Sequence, residues 1–102
     1  MNVEYIRYSV PETARQTAFV EAYRDAAKSL DAAPECIAYE LTQCEEDKTS
    51  FVLRIEWAST EAHLSGFRKG PQFGPFFKAI GGFVKEIAEM RHYQLTEVTR
   101  RK

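Results

Sequence analysis

The sequence predicts an α+β fold: one antiparallel sheet of four strands with helices packed on a single face. Three observations point to it. Segments that alternate apolar and polar residues lie near positions 3–10, 36–44, 51–57 and 90–96, a period of two that belongs to half-buried strands. A long helical stripe separates the first segment from the second, and a shorter helical region separates the third from the fourth. The second and third segments are joined by the polar turn Glu45-Glu46-Asp47-Lys48, so they form a hairpin and run antiparallel.

The elements follow in order. In the first strand, about Val3 to Val10, Ile6, Tyr8 and Val10 share one face and Tyr5, Arg7 and Ser9 the other. Pro11 suits the first turn of a helix, and Ser9 and Glu12 stand in capping-box spacing. That helix runs to about Leu30. Its stripe is Phe19, Tyr23, Ala26, Ala27 and Leu30, while Glu21, Arg24, Asp25 and Lys28 face water. Ala32-Ala33-Pro34-Glu35 ends it.

The second strand, Cys36 to Cys44, alternates Ile37, Tyr39 and Leu41 with Ala38, Glu40 and Thr42. The third alternates Phe51, Leu53, Ile55 and Trp57 with Val52, Arg54 and Glu56. Trp57, the only tryptophan, stands where strand gives way to helix, a place from which its ring can wall a pocket. Ser59 is placed to cap a short helix carrying Leu64 and Phe67, with His63 expected on the opposite, solvated side. Gly66, Gly70, Pro71, Gly74 and Pro75 then break the chain. A further helix carries Phe76, Phe77, Ile80, Phe83, Val84 and Ile87, with Gly81-Gly82 placed to kink or interrupt it, and a last strand spans about Met90 to Thr96. The order βαββαβ is the ferredoxin-like arrangement.

Composition bounds the rest. The 102 residues amount to a single domain, 1–102, and a hydrophobic content of 44% suffices for a core. A net charge of −1, from 14 basic and 15 acidic residues, favours neither a nucleic-acid nor a membrane partner. Arg100-Arg101-Lys102 reads as a solvated tail. No apolar run approaches the ~20 residues of a membrane span, and Met1-Asn2-Val3-Glu4 does not begin a signal peptide, so a cytoplasmic location is expected. Cys36 and Cys44 on one strand would lie about 26 Å apart, beyond disulfide reach, and are expected as free thiols. Neither CxxC nor HxxxH spacing occurs, and Cys36 with His63 or His92 makes no metal set, so no metal and no cofactor are expected.

The far sheet face would carry Tyr5, Arg7, Ala38, Glu40, Thr42, Val52, Arg54 and Glu56. Two copies face to face could pair Arg7 and Arg54 with Glu40 and Glu56 while burying Tyr5, Ala38 and Val52. A homodimer through the open sheet face is therefore expected.

The stretch Phe51-Val52-Leu53-Arg54-Ile55-Glu56-Trp57, the helix start Ser59-Thr60-Glu61-Ala62, Pro71-Gln72-Phe73 leading into Phe76-Phe77, and the closing His92-Tyr93 resemble the antibiotic biosynthesis monooxygenase-like family of the dimeric α/β-barrel superfamily. The resemblance covers nearly the whole chain and is more specific for fold than for activity. It implies a dimeric α/β barrel and, as one activity of the family, cofactor-free oxidation of phenols and quinols. By resemblance Trp57 matches a tryptophan that lines the substrate pocket, and Phe73 an aromatic position on the following helix. Departures bear on activity. Phe77 stands where haem-degrading members place an axial histidine, and Tyr5-Ile6-Arg7-Tyr8 lacks their first-strand asparagine. Leu53 stands where quinone-forming members have an asparagine; Asn2 is the chain's only one. Similar lettering in relatives associated with truncated globins implies the alternative, a non-catalytic ligand-binding or accessory dimer serving haem or a globin.

A cofactor-independent monooxygenase acting on a phenolic or quinol-like molecule needs an apolar pocket, a proton acceptor, and a group that stabilises an anion. Trp57, Phe73, Phe76, Phe77, Ile6 and Ile37 are the expected walls around a small aromatic substrate. His92, Tyr8 and Tyr39 are the expected catalytic polar groups, His92 as the titrating one. No nucleophile elbow, phosphate loop or Rossmann glycine pattern occurs.

Overall fold

The structure, a computed structural model, describes residues 1–102. Four strands, β1 (Asn2–Ser9), β2 (Cys36–Gln43), β3 (Ser50–Trp57) and β4 (Ile87–Gln94), form one sheet in the order β2-β3-β1-β4. Every neighbouring pair is antiparallel. Helix α1 (Thr13–Ala32) and helix α2 (Phe73–Ile80) cover one face. This is the ferredoxin-like α+β fold.

Alternation along β1 and β3 builds the core. Phe51, Leu53, Ile55 and Trp57 are buried on the helix side, opposite Tyr8, Ile6, Glu4 and Asn2 of β1. The predicted stripe of α1 delivers Phe19, Tyr23, Ala26 and Leu30 onto them. Phe19 is the hub: its ring lies 4.6 Å from Tyr8, 4.9 Å from Phe51 and 5.2 Å from both Tyr23 and Phe83, centroid to centroid.

Several boundaries differ from the sequence expectation. The helix begins two residues beyond Pro11, and Ser9 stays in β1, so Ser9 and Glu12 make no capping box. The short helix after β3 is a π-helical turn, Ala62–Phe67, closed by the bond from Arg68 N–H to the His63 carbonyl at 3.0 Å. Ser59 does cap it, its Oγ accepting from Ala62 N–H at 2.9 Å. Gly70 allows the sharp return that follows: a Cβ there would stand 2.6 Å from the Gly66 carbonyl oxygen. Gly81-Gly82 end α2, and Gly81–Glu86 form a 3-10 turn. Ile87, expected on that helix, is the first residue of β4.

A bulge between Cys36 and Ala38 corrects the parity of β2. Cys36 pairs with Trp57 and Ala38 with Glu56, leaving Ile37 as the extra residue. Ile37 is thereby turned outward and is 51% exposed, while Tyr39 and Leu41 keep the helix-side parity.

On the open sheet face, Arg54 is already matched within its own chain. It reaches Glu40 at 3.4 Å, Glu56 at 3.5 Å and the Tyr5 hydroxyl at 3.4 Å. Tyr5 and Tyr93 meet edge to face beside it, 5.4 Å apart. Cys36 and Cys44 are free thiols. No helix is long and apolar enough to cross a membrane.

Candidate active site

Beneath Trp57 lies a chamber of about 220 Å³ between the sheet and the second helical region. Ile6 and Ile55 form its sheet wall; Phe67, Phe73, Phe76 and Phe77 form much of the wall above. The phenylalanines also pack on each other, with Phe67 5.4 Å from Phe76 and 5.8 Å from Phe73, so they are at once core and pocket wall. Phe77 lines the chamber while remaining 48% exposed, which places it at the rim.

The polar end of the chamber is a cluster. Glu4 shares the inward parity of Ile6 and Tyr8 and is almost fully buried. Its Oε1 accepts the Trp57 indole N–H at 3.0 Å. The His63 ring lies parallel to the Trp57 indole, centroids 4.5 Å apart and 9° between planes. His63 Nε2 stands 3.6 Å from Glu4 Oε1, and His63 Nδ1 is 2.6 Å from His92 Nε2. Proton placement follows from these contacts. With His63 protonated on Nε2, its N–H points at the carboxylate and its Nδ1 lone pair accepts from His92 Nε2–H. The opposite tautomer would aim a lone pair at Glu4.

Burial sets the charges. It raises the Glu4 pKa above the ordinary carboxylate value, against the opposing effects of the Trp57 hydrogen bond, His92 and Arg68. It lowers His63 to about 4, helped by His92 and then Arg68. His63 is therefore a neutral imidazole at pH 7, and its approach to Glu4 is a polar contact rather than a full ion pair. Arg68, just past the π-helical turn, lines the chamber and supplies its cation.

Along β1 from Glu4, the Tyr8 hydroxyl pairs with that of Tyr23, and both rings line the chamber. Two paired hydroxyls use one of their two O–H donors on each other and leave one free. Desolvation raises Tyr8 to about 12 and Tyr23 further still. Both are donors, not bases, at neutral pH. The unfolded chain releases these protons from about pH 10, whereas the native Tyr8 holds its proton to about 12. The native state then binds more protons than the unfolded one, so stability falls as pH rises through that window. In an alkaline titration read by tyrosinate absorbance, Tyr8 and Tyr23, of the five tyrosines, should ionise only as the far-ultraviolet circular dichroism collapses. All of the tyrosines titrating reversibly with the fold intact would contradict this burial.

Of the residues expected at the site, Trp57, Phe73, Phe76, Phe77, Ile6 and Tyr8 line the chamber, and His92 joins the cluster through His63. Tyr39 does not reach it. Its hydroxyl donates to Asp31 at 2.6 Å, in a wider, more open groove of about 480 Å³ between α1 and β2. That groove is larger, and it is lined by Arg24, Asp31 and Tyr39 but by no histidine or glutamate. Ile37 is carried away by the bulge. His63 is the main correction: expected in water, it is buried. The i, i+4 spacing to Phe67 was the available signal, since residues so spaced share a face. Glu4 was equally legible from the parity of Ile6, Tyr8 and Val10.

The family profile for antibiotic biosynthesis monooxygenase matches residues 1–79. The chain belongs to the antibiotic biosynthesis monooxygenase family. Among related sequences, it is 26% identical over 76 residues to the uncharacterized protein YczJ of Bacillus subtilis, covering 74% of this chain and 80% of YczJ. A solved structure from Bordetella bronchiseptica that carries the same family assignment superposes with a TM-score of 0.75 at 21% identity, over 93% of this chain and 96% of that one. A mutant of SnoaB, a cofactor-independent oxygenase from Streptomyces nogalater, superposes with a TM-score of 0.68 at 17% identity, over 97% and 95%. These superpositions show the fold that the family shares.

Proposed function

We propose that this family member is a cofactor-independent monooxygenase that oxidises a small phenolic or quinol-like molecule bound against Trp57. The observation that carries the reading is an apolar chamber with one polar head, where Glu4, His63 and Arg68 converge. The volume of about 220 Å³ favours a compact aromatic. An apolar cavity of about 150 Å³ holds benzene, and drug-sized ligands need about 300–1,000 Å³. The cofactor-independent oxygenase among the structural relatives supports the same reading.

In this reading the phenol enters with its hydroxyl toward the cluster. Glu4 accepts the phenolic proton and keeps it beside the ring, because both imidazole N–H bonds point toward the carboxylate. Arg68 stabilises the phenolate. The phenolate gives one electron to dioxygen, the resulting radical and superoxide combine to form a ring C–O bond, and the peroxide takes back the proton held by Glu4 to become a hydroperoxide. Loss of water from that hydroperoxide, with removal of the ring proton, yields the quinone. One oxygen atom enters the product and the other leaves as water, both electrons coming from the substrate. The free hydroxyl of the Tyr8–Tyr23 pair is available to donate to an oxygen at the far end of the substrate.

A homodimer through the open sheet face belongs to the same proposal. It is supported by the exposed Tyr5 and Tyr93 on a face already balanced in charge. Such a dimer would rest on Tyr5, Val52 and Tyr93 more than on exchanged Arg54 pairs.

Oxygen uptake over a panel of single-ring and two-ring hydroquinones tests the activity. At least one should be consumed well above its autoxidation rate, with one labelled oxygen atom of dioxygen in the product. Trp57→Phe should reduce the rate. A panel consumed only at the background rate would remove the enzymatic reading.

A further inference from the structure

We propose that Glu4, His63 and His92 form a binding site for one divalent transition-metal ion of the zinc class. The metal ion would sit beside the head of the chamber. One donor atom from each residue lies within 4.8 Å of the others, and Glu4 and His63 are buried. Two imidazoles and a carboxylate are a borderline donor set that suits zinc, cobalt or ferrous iron rather than calcium or magnesium.

The individual distances fit a three-donor site. Bonds of about 2.0–2.1 Å in a tetrahedron place donors about 3.3 Å apart. His92 Nε2 is 3.8 Å from Glu4 Oε2 and 2.6 Å from His63 Nδ1. Closing on an ion requires the two rings to part by under about 1 Å, and His92, on the edge strand β4, has the freedom to move. His92 carries its hydrogen on Nδ1 when its Nε2 ligates, and the ion takes the place of the hydrogen bond between the two rings.

The outer contacts are those a metal centre needs. Trp57 N–H holds Glu4 Oε1 and leaves Oε2 for the ion. The indole stacked on His63 fixes that ring, and His63 Nε2–H faces the same carboxylate. Entry is open from outside, because His92 also lines a surface groove with Asn2, Ser59, Thr60 and Tyr93. Glu4 and His63 also form part of the chamber wall, so the ion would sit beside the chamber. This site stands on donor geometry and not on the oxygenase reading. If both hold, the ion takes the carboxylate that oxygenation needs, and zinc inhibits.

Calorimetry with zinc sulfate and visible absorption with cobalt chloride test the site on the intact protein. One equivalent of zinc and the intense d–d bands of four-coordinate cobalt are expected. His92→Ala should weaken zinc by more than the roughly 10–100-fold that loss of an outer partner costs, and Trp57→Phe by about that outer-partner amount. Cys36→Ser and Cys44→Ser should change nothing. Absence of cobalt bands, millimolar zinc affinity, binding unchanged in His92→Ala, or binding lost in the cysteine variants would each overturn the site. These readouts use no substrate, so they succeed or fail separately from oxygen uptake.

Discussion

Glu4→Gln is expected to lower oxygenase turnover by about 100- to 10,000-fold while leaving the fold in place, the range set by loss of a positioned proton acceptor. Glutamine matches glutamate in size, and its amide oxygen can still accept the Trp57 indole N–H that Glu4 holds at 3.0 Å. What disappears is the carboxylate that the proposed reaction uses as its proton acceptor. The measurement is oxygen uptake at saturating hydroquinone beside a thermal unfolding curve. Turnover within a few-fold of the parent protein, with native-like melting, would remove Glu4 from the chemistry. Glu4→Ala is a poorer probe. It strands a buried indole N–H at a cost of about 1–3 kcal/mol and confuses stability with catalysis.

Phe19→Ala is expected to destabilise the fold by about 3–5 kcal/mol. Phe19 is fully buried, and four aromatic rings from β1, β3, α1 and the 3-10 turn pack around it. Those neighbours are anchored in separate elements and have little freedom to collapse into the void. A domain of this size has about 5–15 kcal/mol of stability, so the loss is a large fraction of the whole. Each kcal/mol is worth about 4–8 °C, and the melting temperature should fall by roughly 12 °C or more. Urea unfolding gives the free energy directly. A loss below about 1.5 kcal/mol, half the lower bound for such a truncation, would show that the surrounding rings close over the gap.

The fold was legible because local periodicity reports which side of an element is apolar. The alternation of β1 and β3 and the α1 stripe of Phe19, Tyr23, Ala26 and Leu30 needed no tertiary information. The Ser59 cap was legible for the same reason. Parity failed where the backbone left its regular repeat. The bulge at Cys36/Ala38 rotated Ile37 outward. His63 is a different case: it faces inward with Phe67, its i, i+4 partner, while Leu64, an apolar residue of the same turn, stays exposed. Tyr39 kept its predicted face but lies on the edge strand, where it meets Asp31 of α1 instead of the chamber.

By itself, then, the sequence determined the element order, the inward faces of β1 and β3, and the placement of Trp57 at the end of its strand. Only the tertiary structure decided that Glu4, His63 and His92 share one point. Glu4 and Trp57 are 53 positions apart, and His63 and His92 29. Periodicity assigns a residue to a face but carries no record of which distant residue stands opposite. The sheet order puts β1 between β3 and β4, and that placement brings the carboxylate, the indole and the two imidazoles together.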